Sequence, residues 1–142
     1  MEQIKGGIPP QVKVTIGKEK YKTVVHANGH GIIADEPISM GGGNFGMDPY
    51  ALLLASVGSC TAITIKMYAD RKGWALDNTV IELSLKREII NGKERAEITT
   101  NISFSGALSE SEEQRLLEIA LACPVHKTLI GEIVISQSKT RE

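Results

Sequence analysis

The sequence predicts an α+β fold in which antiparallel strands surround one long, buried central helix. Three observations carry this. Apolar and polar residues alternate at Val12, Val14 and Ile16, and again at Ile81, Leu83 and Leu85, the period of two of a half-buried strand. The run Ala51 to Ile65 is apolar or small on every helical face, and such a helix has to be enclosed on all sides. An Asn91-Gly92 pair separates two alternating runs, a strong hairpin signal.

The elements follow in order. Val12, Val14 and Ile16 alternate with Gln11, Lys13 and Thr15 in a first strand. Gly17-Lys18-Glu19 is a turn, and Tyr21 to Ala27 a second strand. Asn28-Gly29-His30-Gly31 turns into a short strand through Ile32 and Ile33. Asp35-Glu36-Pro37 and the loop Gly41-Gly42-Gly43 come next; the loop lacks the Lys-Ser/Thr ending of a phosphate-binding loop. Asp48 is placed as a helix N-cap, with Pro49 at the first helical position, where its missing N–H costs nothing. Arg71 and Lys72 suit the negative end of that helix, and Gly73 its left-handed cap. Strands resume over Thr79 to Glu88 and return with Ala96, Ile98, Thr100, Ile102 and Phe104 on one face. Ser109 and Glu112 form a capping box that opens a helix with the apolar stripe Leu116, Ile119, Ala120 and Cys123. Pro124 interrupts it and can begin a short helix to Ile130, stopped by Gly131. Glu132 to Ser136 reads as a closing strand. The predicted order is βββ-α-ββ-α-β.

The 142 residues suit one domain over 1–142. Hydrophobic residues make up 42% and charged residues 23%, enough apolar side chain for a core and too little charge for disorder. The net charge is −1 with no basic block, which excludes nucleic acid and an anionic membrane surface as natural partners. Met1 to Gly7 has no apolar signal core. The longest uncharged run, Pro49 to Ile65, falls short of the roughly 20 residues of a membrane span. The expectation is a soluble, cytoplasmic protein.

The chain has two cysteines, too few for a disulfide scaffold. Either they are inert core residues or they do chemistry. Ser56, Cys60 and Thr64 are one helical turn apart and share a face. That stripe suits either close packing of small residues or a thiol at the floor of an apolar pocket. Cys123 occupies the N-cap of a helix begun by Pro124, where backbone N–H donors lower a thiol pKa. His126, three residues on, is near enough to approach the sulfur, and is otherwise a surface histidine. Zinc held by Cys60, Cys123 and His126 would lack a fourth protein ligand and the close cysteine spacing of structural sites. No metal or cofactor is expected.

The run Asp48-Pro49-Tyr50-Ala51-Leu52-Leu53-Leu54-Ala55-Ser56-Val57-Gly58-Ser59-Cys60-Thr61 resembles the central-helix motif of OsmC-like proteins. Cys123-Pro124-Val125-His126-Lys127-Thr128-Leu129 resembles their second cysteine motif. Asp35-Glu36-Pro37, the Gly41-Gly42-Gly43 loop, Gly106 and Leu108 fit as well, so the likeness spans roughly 29–135. The resemblance implies the OsmC-like fold, an intertwined homodimer with composite active sites, and thiol-dependent reduction of hydroperoxides. Cys60 would be the peroxidatic residue and Cys123 the resolving one, with an external dithiol as reductant. The family's organic hydroperoxide reductases add an arginine from the N-terminal strands and a glutamate directly after the helix-starting proline. Here that position is Tyr50, and no arginine precedes Arg71. Lys22, His30, Glu36 and His126 are the auxiliary candidates in their place.

Two functions of different kinds follow. One is an enzyme that reduces organic or hydrogen peroxides with two cysteines. The other is a binding or redox-sensing module with the same fold and little turnover. The homodimer has a motive in the residues too. The apolar run Ala51 to Ile65 offers no polar face to water, and the second helix, with Glu110, Glu112 and Glu113 in its early turns, can cover only part of it.

Overall fold

The computed structural model describes residues 9–141. The chain forms two compact units, Met1–Leu52 and Leu53–Glu142. In the first, β1 (Lys13–Ile16), β2 (Thr23–Ala27) and β3 (His30–Ala34) make an antiparallel sheet in the order β1-β2-β3. The alternation of Val14 and Ile16 and the turn at Asn28-Gly29 lie where the sequence puts them. A 3₁₀ turn over Ile38–Met40 and the glycine-rich loop follow. Asp35 organises this loop. It is 2% exposed, and its carboxylate accepts N–H bonds from Tyr21 (3.0 Å), Glu36 (2.7 Å) and Phe45 (3.1 Å).

The long helix α1 runs from Pro49 to Lys72. Asp48 caps it: its carboxylate accepts the Ala51 N–H at 2.7 Å and its carbonyl the Leu52 N–H. At the other end the Trp74 N–H reaches the Ala69 carbonyl and the Gly73 N–H that of Asp70. With Gly73 at φ +69°, this is the paired bonding of a left-handed helix stop.

In the second unit, β4 (Ala75–Ile90) and β5 (Lys93–Ala107) form a long two-stranded ribbon closed at Asn91-Gly92. The inward face is the predicted one, with Ile81 opposite Ile102 and Leu85 opposite Ile98. Helix α2 (Glu110–Ala120) starts in the Ser109–Glu112 capping box, and α3 (Pro124–Ile130) starts from Cys123. The core joins Ile65, Tyr68 and Ala69 of α1 to Leu76 of β4 and to Leu116 and Ala120 of α2. Gly58 lets α1 approach the ribbon: a Cβ there would stand 2.8 Å from Leu83 Cδ1.

Two expectations are corrected. The closing strand over Glu132 to Ser136 is absent. Its residues are exposed, Ile135 to 83%; alternation records a capacity for pairing, and among the described residues no strand pairs with this segment. The order is therefore βββ-α-ββ-α-α. Nor is α1 enclosed on all sides. Val57, Gly58, Thr61, Ile65, Tyr68 and Ala69 are buried, whereas Ile63 and Met67 are 58% and 67% exposed. At 24 residues, α1 is also long and apolar enough, by length and composition alone, to cross a membrane.

The uncovered apolar face of α1 and the unpaired tail lead to one expectation: two copies associate. Sedimentation at micromolar concentration is expected to give about twice the 15.4 kDa chain mass; a stable single-chain species at that concentration would contradict it. A second expectation concerns Gly106, at φ +128°, beside the register shift between Leu76 and Asn78. A Cβ there would fall 2.1 Å from the Ala75 carbonyl oxygen. Gly106→Ala is expected to destabilise the fold by at least about 2 kcal/mol, read as a fall in urea midpoint at unchanged slope.

Candidate thiol site

Local chemistry puts both cysteines on helices of the second unit. Cys60 lies in the middle of α1, half-buried at the edge of its packed face. Cys123 is the N-cap of α3, where Pro124 forces the preceding residue out of helical geometry. It is fully buried, and its sulfur accepts the His126 N–H at 3.4 Å. The two side chains, far apart in sequence, come close enough for each to shift the other's ionisation. Both thiols are free.

Their surroundings divide the charge unequally. Burial pushes the Cys60 thiol up, and the hydrogen bond to Cys123 and the negative charge there push it further. The Val125 N–H and the Thr64 hydroxyl oppose this without reversing it. Burial also pushes Cys123 up, but there the opposing contacts win. Hydrogen bonds from Cys60, the His126 N–H, the Thr61 hydroxyl and the Val125 N–H hold it below the ordinary thiol value. Cys123 is therefore the more acidic of the two thiols and Cys60 the less acidic.

The Ser56–Cys60–Thr64 stripe is used differently from the simple reading of a polar seam. Ser56 donates to the Leu53 carbonyl at 2.6 Å and Thr64 to that of Cys60 at 2.8 Å, so both hydroxyls bond backbone within their own helix. His126 approaches Cys123 through its backbone amide, while its imidazole lines an apolar cavity of about 710 Å³. Leu53, Val57, Thr61, Ile102 and Ile130 contribute to the same cavity. Thr61 is the site residue the sequence reading passed over. Its signal was a threonine, a poor helix former, at apolar spacing between Val57 and Ile65.

The other auxiliary candidates belong to the first unit. Lys22 places its Nζ 5.7 Å from the Phe45 ring centroid. His30 is exposed at the start of β3, paired with Ala27. Glu36 gives its N–H to Asp35 and, with Asp35, lines a second apolar cavity of about 550 Å³. Asp35 rather than Glu36 is the organising carboxylate of that segment. Burial raises its pKa, but the N–H bonds from Phe45, Glu36, Tyr21 and Gly43 outweigh this and hold it below the usual carboxylate value.

With two free thiols on a helix and at a helix cap, the comparison with known proteins is decisive. Residues 41–138 match the family model described as OsmC-like protein. The chain belongs to the OsmC-like family. Solved structures agree with this fold. An OsmC-like protein from Mycoplasma pneumoniae superposes with a TM-score of 0.75 at 20% identity, over 87% of this chain and 89% of that one. An organic hydroperoxide resistance protein OsmC from Legionella pneumophila gives 0.67 at 18%, over 89% and 93%. The organic hydroperoxide resistance protein OhrB of Bacillus subtilis gives 0.62 at 18%, over 87% and 92%. No curated protein sequence matches the chain. Within the OsmC-like fold, the two cysteine helices are the elements that bring the thiols together.

The unequal pair generates a titration prediction. Followed by thiolate ultraviolet absorption, the reduced protein is expected to ionise in two steps belonging to the pair. The first lies below and the second above the ordinary thiol pKa of about 8.5, because the shifts of Cys123 and Cys60 have opposite sign. Two coincident ionisations at the ordinary value would show that the sulfurs do not interact.

Proposed function

We propose that this OsmC-like protein is a two-cysteine peroxide reductase, acting on organic hydroperoxides and on hydrogen peroxide, in the cytoplasm and as a homodimer. The observation that carries the reading is the approach of Cys60 to Cys123, a free sulfur at a helix N-cap that accepts the His126 N–H. An inert pair of core cysteines has no need of mutual proximity, of an N–H donor on one sulfur, or of partial access for the other. The relatives named for organic hydroperoxide resistance support the same chemistry. The cavity beside Thr61 and His126 supports apolar substituents on the peroxide: its volume of about 710 Å³ is of the size that holds small ligands.

Access and charge assign different tasks to the two sulfurs. Cys60 is half-buried and Cys123 fully buried, so Cys60 is the one that meets a peroxide. Cys123 ionises the more readily of the two. In the proposed sequence an ionised Cys123 takes the Cys60 proton, leaving a Cys60 thiolate. That sulfur attacks the terminal peroxide oxygen; the S–O bond forms, the O–O bond breaks, and Cys60 becomes a sulfenic acid. The departing alkoxide takes the proton from Cys123 and leaves as an alcohol, or as water when the substrate is hydrogen peroxide. Cys123, again a thiolate, attacks the Cys60 sulfur and displaces hydroxide. The products are a disulfide, one alcohol and one hydroxide. An external dithiol then reduces the disulfide by exchange.

Stopped-flow oxidation of the reduced protein by cumene hydroperoxide and by hydrogen peroxide, with thiols counted afterwards, tests this. The wild type is expected to lose two thiols per peroxide. Cys60→Ser is expected to consume none, a fall of at least about 10³-fold. Cys123→Ser is expected to consume one equivalent and stop at the sulfenic acid or a higher oxide. A Cys123→Ser protein dead at the first step, beside an active Cys60→Ser protein, would reverse the roles.

A further inference from the structure

The backbone amide of His126 serves the Cys123 sulfur, and its side chain is left for another task. The residue is half-buried and lines the cavity of about 710 Å³ together with Leu53, Val57, Ile98, Ile102 and Leu129. Among the described residues, no hydrogen bond or ion pair reaches its imidazole. The other polar side chains of the wall are accounted for. Thr61 donates to the Val57 carbonyl at 2.8 Å. Thr100 and Asn101 are exposed on β5, where water meets them. Among the described residues, no Asp, Glu, Lys or Arg lines the cavity, and neither cysteine does.

A neutral imidazole carries one N–H donor and one acceptor nitrogen. Water serves both while the cavity is hydrated. A molecule that fills the cavity displaces that water. If it is wholly apolar it leaves the ring unpaired, and an unmade bond costs more than a made one contributes. A hydroxyl or carbonyl on the same molecule restores the bond. A carboxylate would bring a charge among apolar walls with no Lys or Arg to offset it. The wall therefore favours an apolar body that carries one uncharged oxygen group. That group is not the reacting O–O bond, which has to reach Cys60, outside the wall.

We propose that His126 is a specificity-determining residue, selecting hydroperoxides whose apolar body bears a second, uncharged oxygen group, a hydroxyl or a carbonyl. The inference rests on the reading of the chain as a peroxide reductase and names the class of substrate that its cavity takes. Discrimination of this kind is strong because it works through a loss: a site with a polar group to satisfy rejects the analogue that cannot satisfy it.

Binding is measured by calorimetry on the reduced protein with three molecules of one shape: 4-isopropyltoluene, 4-isopropylbenzyl alcohol and 4-isopropylbenzoate. None has an O–O bond, so a fault in the thiol chemistry would show in the stopped-flow experiment alone. The wild type is expected to bind the alcohol more tightly than the hydrocarbon or the carboxylate. His126→Leu is expected to reduce the preference for alcohol over hydrocarbon at least about fivefold, the scale of one net hydrogen bond. His126→Gln, which keeps a donor and an acceptor, is expected to retain most of it. A wild type that binds none of the three, or binds the hydrocarbon or the carboxylate as tightly as the alcohol, overturns the proposal. So does a preference unchanged in His126→Leu, or one lost equally in His126→Gln. Should the Leu variant not fold, the ring-nitrogen NMR signals of His126 in the wild type decide. Signals moved by the alcohol and not by the hydrocarbon support the proposal, and signals that respond to neither refute it.

Discussion

The structure of the second unit depends on how closely the packed face of α1 sits against the ribbon and α2. Val57, Gly58, Thr61, Ile65, Tyr68 and Ala69 form one face of the helix, and Ile65 and Leu116 are fully buried there. Each such side chain contributes roughly 1.5–3 kcal/mol, which fixes the rotation of α1 about its axis. Successive residues of a helix differ by about 100° in direction. With Thr61 turned into the core, Cys60 falls at the edge of the packed face, half in and half out. A helix rotated by one residue would bury Cys60 and expose Thr61. Apolar packing thus decides which sulfur is accessible, before any chemistry is considered.

The second determinant is hydrogen bonding at the start of α3. Burial alone would disfavour charge on either cysteine. Cys123 escapes this because Pro124 opens a helix directly after it, leaving the first amides of that helix without internal partners. Those of Val125 and His126 turn to the sulfur. Cys60, inside a continuous helix, has no orphan amides of its own, and only the Val125 N–H reaches it from outside. The asymmetry between two identical side chains comes from their places relative to a helix end.

Features set by neighbours along the chain were legible in the sequence: Asp48 and Pro49 at the start of α1, Gly73 at its end, the Ser109–Glu112 box, the Asn91-Gly92 hairpin, and Cys123 as an N-cap. Each is a local bonding pattern that its own residue types nearly dictate. Features that need a distant partner were not. Glu132 to Ser136 has the alternation of a strand, but alternation does not name the edge it would join. Asp35 reads as an ordinary loop acid; its burial follows from amides of Tyr21 and Phe45 folding onto it from either side. Thr61 reads as a spacer in an apolar run until the fold sets it with His126 in the wall of one cavity. Lys22, His30 and Glu36 were nominated by charge alone, and charge carries no information about which unit holds the thiols.

Among the described residues no third strand joins the ribbon of β4 and β5, and unpaired edges of this kind are prone to adding strands from neighbouring molecules. Its tip carries dense, alternating charge. Arg95 bridges Glu88, opposite it on β4, and also Glu97, while Arg87 bridges Glu94. Such exposed ion pairs contribute little to folding stability, but an incoming strand would have to desolvate them. The ladder therefore acts as a guard against fibrous association, protecting the part of the ribbon that extends beyond the hydrophobic core.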